Sequence, residues 1–239
     1  MIVVFRNFYR NKMVNLSARS IKYFYPDMKI YCLSLCKHDM SEYANQEPLL
    51  PFIEEWTART KYVNKENNNL DDVDTTKTSG FNADDNGAYF TEGYNLIFNR
   101  FKTSDEVVLM LAEDHYFTTG QTLKEIIDTT GQWDICYGDA DSERAGYLRG
   151  NGSILGIVPN KVRHLFPMVE HLHTTIEWMV GNLLLRQLPE DRIHCLSTRK
   201  WYVNPNGLDN NGWPDYCGDG LYTNSSEEMT EDLKKAGII

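Results

Sequence analysis

The sequence predicts an α/β protein with a mostly parallel central sheet flanked by helices, and two stretches carry that prediction. Val107 to Ala112 is an apolar run without polar alternation. That is the habit of a strand buried on both faces, as in a parallel sheet covered by helices. The chain also opens as strand, helix and strand with short connections, the signature of a right-handed parallel crossover. The apolar run passes directly into Glu113-Asp114-His115. Ligands of such sheets lie at the carboxyl ends of the strands. Two acids and an imidazole placed there can hold a divalent cation against a diphosphate.

Each element follows from local pattern. Ile2 to Phe5 is a short run rich in β-branched residues, the expected first strand, which Arg6-Asn7 closes. Residues 12 to 24 place Met13, Val14, Leu16, Ile21 and Tyr23 at near-helical spacing, and Pro26 ends that helix before a second strand from Lys29 to Ser34. Phe52, Ile53 and Trp56 suggest a helix over 51–62. The polar stretch from Asn64 to Asn86 reads as a loop, either solvated or ordered by ligand. Asn86-Gly87 then opens a helical pattern through Phe90, Tyr94, Ile97, Phe98 and Phe101. After the strand at 106–112, a helix is expected over Gln121 to Thr129, then a strand near Trp133 to Tyr137, and a strand from Tyr147 to Val158 broken by Gly150 and Gly152. A short helix follows around Lys161 to Phe166. The longest helix is expected over 170–187, with Ile176, Met179, Val180, Leu183 and Leu184 on one face and Pro189 ending it. Segment 189–239 reads as a loop-rich extension with a final surface helix, capped at Ser226 and closed by Gly237. One domain over 1–239 is the simplest account.

Composition narrows the function classes. With 34 Asp plus Glu against 24 Lys plus Arg, the formal charge of −10 argues against nucleic acid or anionic membrane as the main partner. The apolar fraction of 41% suffices for a sizeable core. Five cysteines, of which only Cys32 and Cys36 are close, read as reduced thiols. Too few apolar residues precede Arg6 for a signal peptide or a membrane span. A cytoplasmic location is therefore expected, with the sequons at Asn15, Asn151 and Asn224 unused.

Asn86-Gly87, Tyr94-Asn95 and the strand that ends in Glu113-Asp114-His115 together resemble the nucleotide-diphospho-sugar glycosyltransferases of the GT-A fold. In order of elements the resemblance runs from Ile2 to about Leu188. In motif it rests on residues 86 to 115, plus an acid in the late helix. It implies a single-domain, GT-A-like (Rossmann-like) architecture and transfer of a hexosyl or pentosyl group from a nucleoside-diphosphate sugar, a UDP-sugar above all, to a glycan or glycoprotein hydroxyl. His115 departs from the family pattern, standing where an aspartate usually binds the metal. Imidazole is a natural ligand for manganese and a poorer one for magnesium, so manganese is the expected cofactor. The compact chain is also similar to glycosyltransferases of large algal viruses, which build capsid glycans.

The chemistry assigns roles. Breaking the bond between an anomeric carbon and a diphosphate leaves negative charge on the phosphate, which a cation stabilises as a Lewis acid. Asp114 and His115 are the candidate metal ligands, and His194 is a candidate further ligand from the C-terminal side, ahead of the His171/His173 pair. Glu113 is placed by the resemblance against the ribose or donor sugar. Arg6 and Asn7 are expected beside the base and pyrophosphate. Asn86, Asn95 and Asn151 complete the donor-binding set, the last where flanking glycines let the backbone approach a ligand. An acceptor hydroxyl must lose its proton, which calls for a general base. The resemblance points to Glu177 in an inverting reaction, with Trp178 stacking on a sugar face. Asp139 and Asp141 are expected near the acceptor or on the surface. The bland readings are a turn cap for Glu113 and Asp114 and a solvated helix acid for Glu177. Two other classes stay open: a non-catalytic carbohydrate-binding module, and a metal-dependent nucleotidyltransferase. The second normally has a Gly-rich phosphate loop, and Arg6 to Lys12 contains no glycine.

Overall fold

The structure, a computed structural model, describes residues 1–7, 11–34, 94–112, 115–139, 150–168, 184–196, 199–201, 216–218, 221–222 and 225–239. Its centre is a six-stranded sheet built from β1 (Ile2–Asn7), β2 (Lys29–Ser34), β3 (Val108–Ala112), β5 (Ile135–Asp139), β6 (Gly150–Ile157) and β7 (Ile193–Leu196), in the order β2-β1-β3-β6-β5-β7. β1 pairs in parallel with β2 and β3, and β5 with β7, while β6 runs antiparallel between β3 and β5. Small two-stranded ladders join β4 (His115–Tyr116) to β10 (Leu221–Tyr222), and β8 (Arg199–Trp201) to β9 (Tyr216–Gly218).

Alternation along the strands sorts their side chains onto two covered faces. On one face Ile2, Val4, Val108, Met110, Leu155 and Ile157 meet helix α2 (94–101) through Tyr94, Ile97 and Phe98. On the other, Val3, Phe5, Leu109, Leu111 and Ile154 meet α1 (Asn11–Phe24) through Val14, Ala18 and Ile21, and α3 (Gln121–Asp128) through Leu123 and Ile126. Val108 to Leu111 are fully buried, as the unbroken apolar run predicts. A third cluster joins Met13 and Leu16 of α1 to Tyr116 and to Met229 and Leu233 of α4 (Ser226–Lys235).

Several expectations are corrected. Arg6-Asn7 does not close β1: Arg6 is in register with Leu33 and Ala112, and Asn7 with Ser34, so two neighbouring ladders carry the strand onward. β6 is continuous through its glycines, and the irregularity falls instead in its pairing with β5, between Tyr137 and Gly138. The helix expected around Lys161 is one 3₁₀ turn, Arg163–Leu165. Pro167 biases Phe166 toward the extended backbone it adopts, with φ −123° and ψ 150°. Segment 189–239 is not wholly an extension, because β7 forms an edge of the central sheet. The cap of α4 is Ser225, whose extended backbone lets its Oγ accept from the Glu228 N–H at 3.3 Å. At the far end Gly237, at φ +70°, closes the helix as expected, with Ile238 N–H donating to Leu233 at 2.9 Å and Gly237 N–H to Lys234 at 3.0 Å. α4 lies on the surface as expected, with Met229 and Leu233 fully buried on its inner face.

The helix expected at 51–62, the loop from Asn64 to Asn86, and most of the helix at 170–187 lie outside the described residues. Among the described residues no helix is long and apolar enough to cross a membrane. Cys32, Cys136 and Cys195 form no disulfide.

Candidate active site

The ladder brings separate segments to one end of the sheet. β1 and β3 run in parallel, so Arg6, Asn7 and Ala112 lie together at their carboxyl ends. β6 runs the opposite way, and its start, Gly150-Asn151, is in register with Asp139-Gly138 at the carboxyl end of β5. Arg6, Asn7, Asp139 and Asn151 are thus drawn to the end of the sheet from which the chain leaves Ala112 toward Glu113 and Asp114. Glu113 and Asp114 themselves lie outside the described residues, as do Asn86, Asp141, His171, His173, Glu177 and Trp178.

Arg6 is 5% exposed, and its guanidinium carbon stands 4.6 Å from the centre of the Tyr94 ring. Alternation from Ile2 and Val4 sends it to the face covered by α2. A desolvated cation over an aromatic face gains about 2 kcal/mol, and the buried charge is a natural counterpart for an anionic ligand. Tyr94, read from the sequence as part of the helical pattern and, with Asn95, of the family resemblance, lies against it.

Asn95 has a structural task. Its Nδ2 donates to the Met168 carbonyl at 3.0 Å, and its Oδ1 accepts from the Met168 N–H at 2.7 Å. Both ends of the amide are used in fixing α2 to the chain beyond Pro167. The ring of Phe98 stacks on Phe166 nearby, with centroids 4.2 Å apart.

His115 is fully buried in β4, where it is in register with Tyr222. The following residue, Tyr116, points into the cluster between α1 and α4, and its hydroxyl donates to Asp232 Oδ2 at 2.7 Å. Burial pushes the Tyr116 hydroxyl well above its ordinary pKa, and the bond to Asp232 and that carboxylate's charge push the same way. Phe117 N–H donates to Ser20 Oγ at 3.1 Å, and Ser20 in turn donates to the Ser17 carbonyl at 2.7 Å. The strand after the acidic motif is therefore tethered to both α1 and α4.

His194 stands apart from this group. It is in register with Cys136 in mid-strand, two residues before the carboxyl end of β7, and its Nε2 lies 2.9 Å from Glu125 Oε1 of α3. That contact joins α3 to the sheet edge. Among the described residues no group of three or more His, Cys, Asp or Glu side chains is arranged to hold a metal. His115 is the one expected ligand near the strand end that lies among them.

No family model and no curated protein matches the chain. Among solved structures it is similar to LgtC, a glycosyltransferase, in the crystal structure of an active-site mutant. The TM-score is 0.52 at 13% identity, over 98% of this chain and 96% of that one. At that identity the likeness speaks for the fold: the chain has a GT-A-like α/β fold with a mostly parallel sheet flanked by helices.

Proposed function

We propose that the protein is a glycosyltransferase of the hexosyl or pentosyl class, moving a sugar from a nucleoside-diphosphate donor, a UDP-sugar, to a hydroxyl of a glycan or glycoprotein. The observation that carries this reading is the convergence, in a GT-A-like fold, of a buried Arg6 with the end of β3 that leads into Glu113-Asp114-His115. The full-length likeness to LgtC supports it.

In this reading Asp114 and His115 hold a divalent cation, manganese, which when bound offsets the charge of the leaving diphosphate. Arg6 supplies a fixed positive charge toward the pyrophosphate, and Asn7 and Asn151 border the same strand ends. Glu113 accepts from the ribose or donor sugar. Asn86 lies ahead of α2 and contributes to the donor pocket. Asn95 holds α2 to the Met168 backbone, and His194 meets Glu125. Glu177 removes the acceptor proton in an inverting reaction, and Trp178 stacks on a sugar face. The likeness to algal-virus enzymes rests on the sequence alone.

Calorimetric titration with UDP, GDP and ADP, each with and without manganese, tests the donor and cation together. Manganese-dependent binding of UDP is expected. Tight glycan binding without any nucleotide dependence would favour a carbohydrate-binding module instead.

A further inference from the structure

We propose that the amino-terminal end of the sheet, where α2 closes, is a docking surface for an acidic polypeptide segment, one rich in Asp and Glu, recognised by Arg100, Lys102, Lys161 and Arg163.

The chain carries a formal charge of −10, so a local excess of cations has to be built. Two segments distant in sequence build it. The close of α2 brings Arg100 and Lys102, and the turn after β6 brings Lys161 and Arg163, all four exposed. Three hydrogen bonds clamp the segments together. Asn160 N–H donates to the Ser104 carbonyl at 3.1 Å, Asn160 Nδ2 to Asp105 Oδ1 at 2.8 Å, and Arg163 Nε to the Lys102 carbonyl at 3.1 Å. The dipole of α2 accounts for cations at its own end. It does not account for Lys161 and Arg163, which belong to the other segment.

The carboxylates nearby are committed. Glu106 meets Lys29 and the N-terminal amine, Asp134 meets Arg192 and, at 3.6 Å, Lys161, and Asp105 accepts from Asn160. Among the described residues no carboxylate pairs with Arg100, Lys102 or Arg163. Like charges gathered by the fold repel one another, and an anionic partner offsets that cost. Both arginines are also oriented in advance. Arg163 uses Nε on a backbone carbonyl, which leaves its two terminal nitrogens for a ligand, and the Arg100 guanidinium lies 5.6 Å from the Tyr31 ring centre and 6.0 Å from that of Phe101. A guanidinium held in this way presents a planar fork that matches a carboxylate.

A bilayer suits the patch less well. The large exposed hydrophobic side chains among the described residues are Tyr23 and Ile127, on α1 and α3, which cover the other face of the sheet. Neither stands with α2 to enter a membrane beside the cations. Charges are screened beyond about 8 Å at physiological ionic strength, so a segment in contact with the patch feels these cations more than the net charge of the chain. The patch lies where β3 begins, opposite the carboxyl end that carries Arg6, so docking there leaves the candidate active site open.

The test follows the anisotropy of a fluorescein-labelled hexaglutamate peptide against the full chain at stepped salt concentrations, beside thermal unfolding of each variant. The parent is expected to bind, with an affinity that falls as salt rises. Arg163→Glu and Lys102→Glu should each weaken binding by about tenfold, since a like charge within the contact repels the peptide. Arg19→Glu makes the same change in net charge at an exposed position of α1, on the other face of the sheet, and should bind as the parent does. Should Arg163→Glu not fold, Lys102→Glu decides, because the bond between the segments uses the Lys102 carbonyl and not its side chain. Weakening by Arg19→Glu equal to that of the patch variants would make net charge the cause and overturn the proposal. So would a parent that leaves the peptide unbound, including one that binds phosphatidylserine vesicles instead.

Discussion

Asp134 and Arg192 are joined through both backbone and side chain. Asp134 N–H donates to the Arg192 carbonyl at 2.9 Å, Arg192 Nε donates to Asp134 Oδ2 at 2.9 Å, and a second guanidinium nitrogen donates to Oδ1. Lys161 adds a third positive contact at 3.6 Å. The pair fastens the entry of β7 to the entry of β5, so it secures the sheet edge against which α3 and His194 pack.

Burial alone would raise the Asp134 pKa, but the hydrogen bonds and charges of Arg192 and Lys161 outweigh it and hold the carboxyl below its ordinary value. A depressed carboxylate stabilises the fold fully above its unfolded pKa, near pH 4, and that contribution fades as pH falls through the lower folded value. Asp134→Ala should therefore cost about 2 kcal/mol at neutral pH. Asp134→Asn should flatten the loss of stability on acidification. Urea unfolding at pH 7 and across pH 2 to 5 checks both, and a parent-like acid limb in the Asn variant would contradict the assignment.

Gly156 faces Cys136 across the β5–β6 ladder, and a methyl group there would run into the sulfur, with Leu109 and Trp133 3.7 Å away. Gly156→Ala is expected to destabilise by about 1–3 kcal/mol through overpacking. Adding Cys136→Ala should recover part of that loss, so a double-mutant cycle should show coupling. Strict additivity would mean that the sulfur is not the obstacle.

Asp114→Ala is expected to abolish manganese-dependent UDP binding while the Tm stays close to that of the parent. Calorimetry beside thermal unfolding measures both. Unchanged manganese-dependent affinity would remove Asp114 from the ligand set.

Glu177→Gln keeps the shape of the side chain and removes its basicity. Deprotonation of the acceptor belongs to the transition state, so transfer should fall by about two to four orders of magnitude with donor affinity nearly unchanged. Turnover assays paired with UDP titration separate the two quantities. Parent-like turnover would make Glu177 a solvated helix acid and turn the search for the base to Asp139 and Asp141.

The sequence by itself determined the elements whose causes are local. Strand, helix and strand over β1, α1 and β2 follow from runs and spacings read within a few residues. The unbroken apolar stretch of β3 announced burial on both faces, and Gly237 announced the end of α4. The placement of Arg6-Asn7 and of the end of β3 at the carboxyl edge followed from the parallel topology that those elements imply. What only the tertiary structure decided depends on partners distant in the chain. The amide of Asn95 goes to a backbone 73 positions away, His194 meets an acid 69 positions away, and Tyr116 reaches Asp232 at a separation of 116. β7 takes an edge of the sheet although its segment reads as loop-rich, because a parallel ladder to β5 and the Asp134–Arg192 pair supply what its own residues do not. Local propensity carries no information about such pairings, since a side chain's hydrogen-bonding capacity is written in the sequence but the group that satisfies it is chosen by packing.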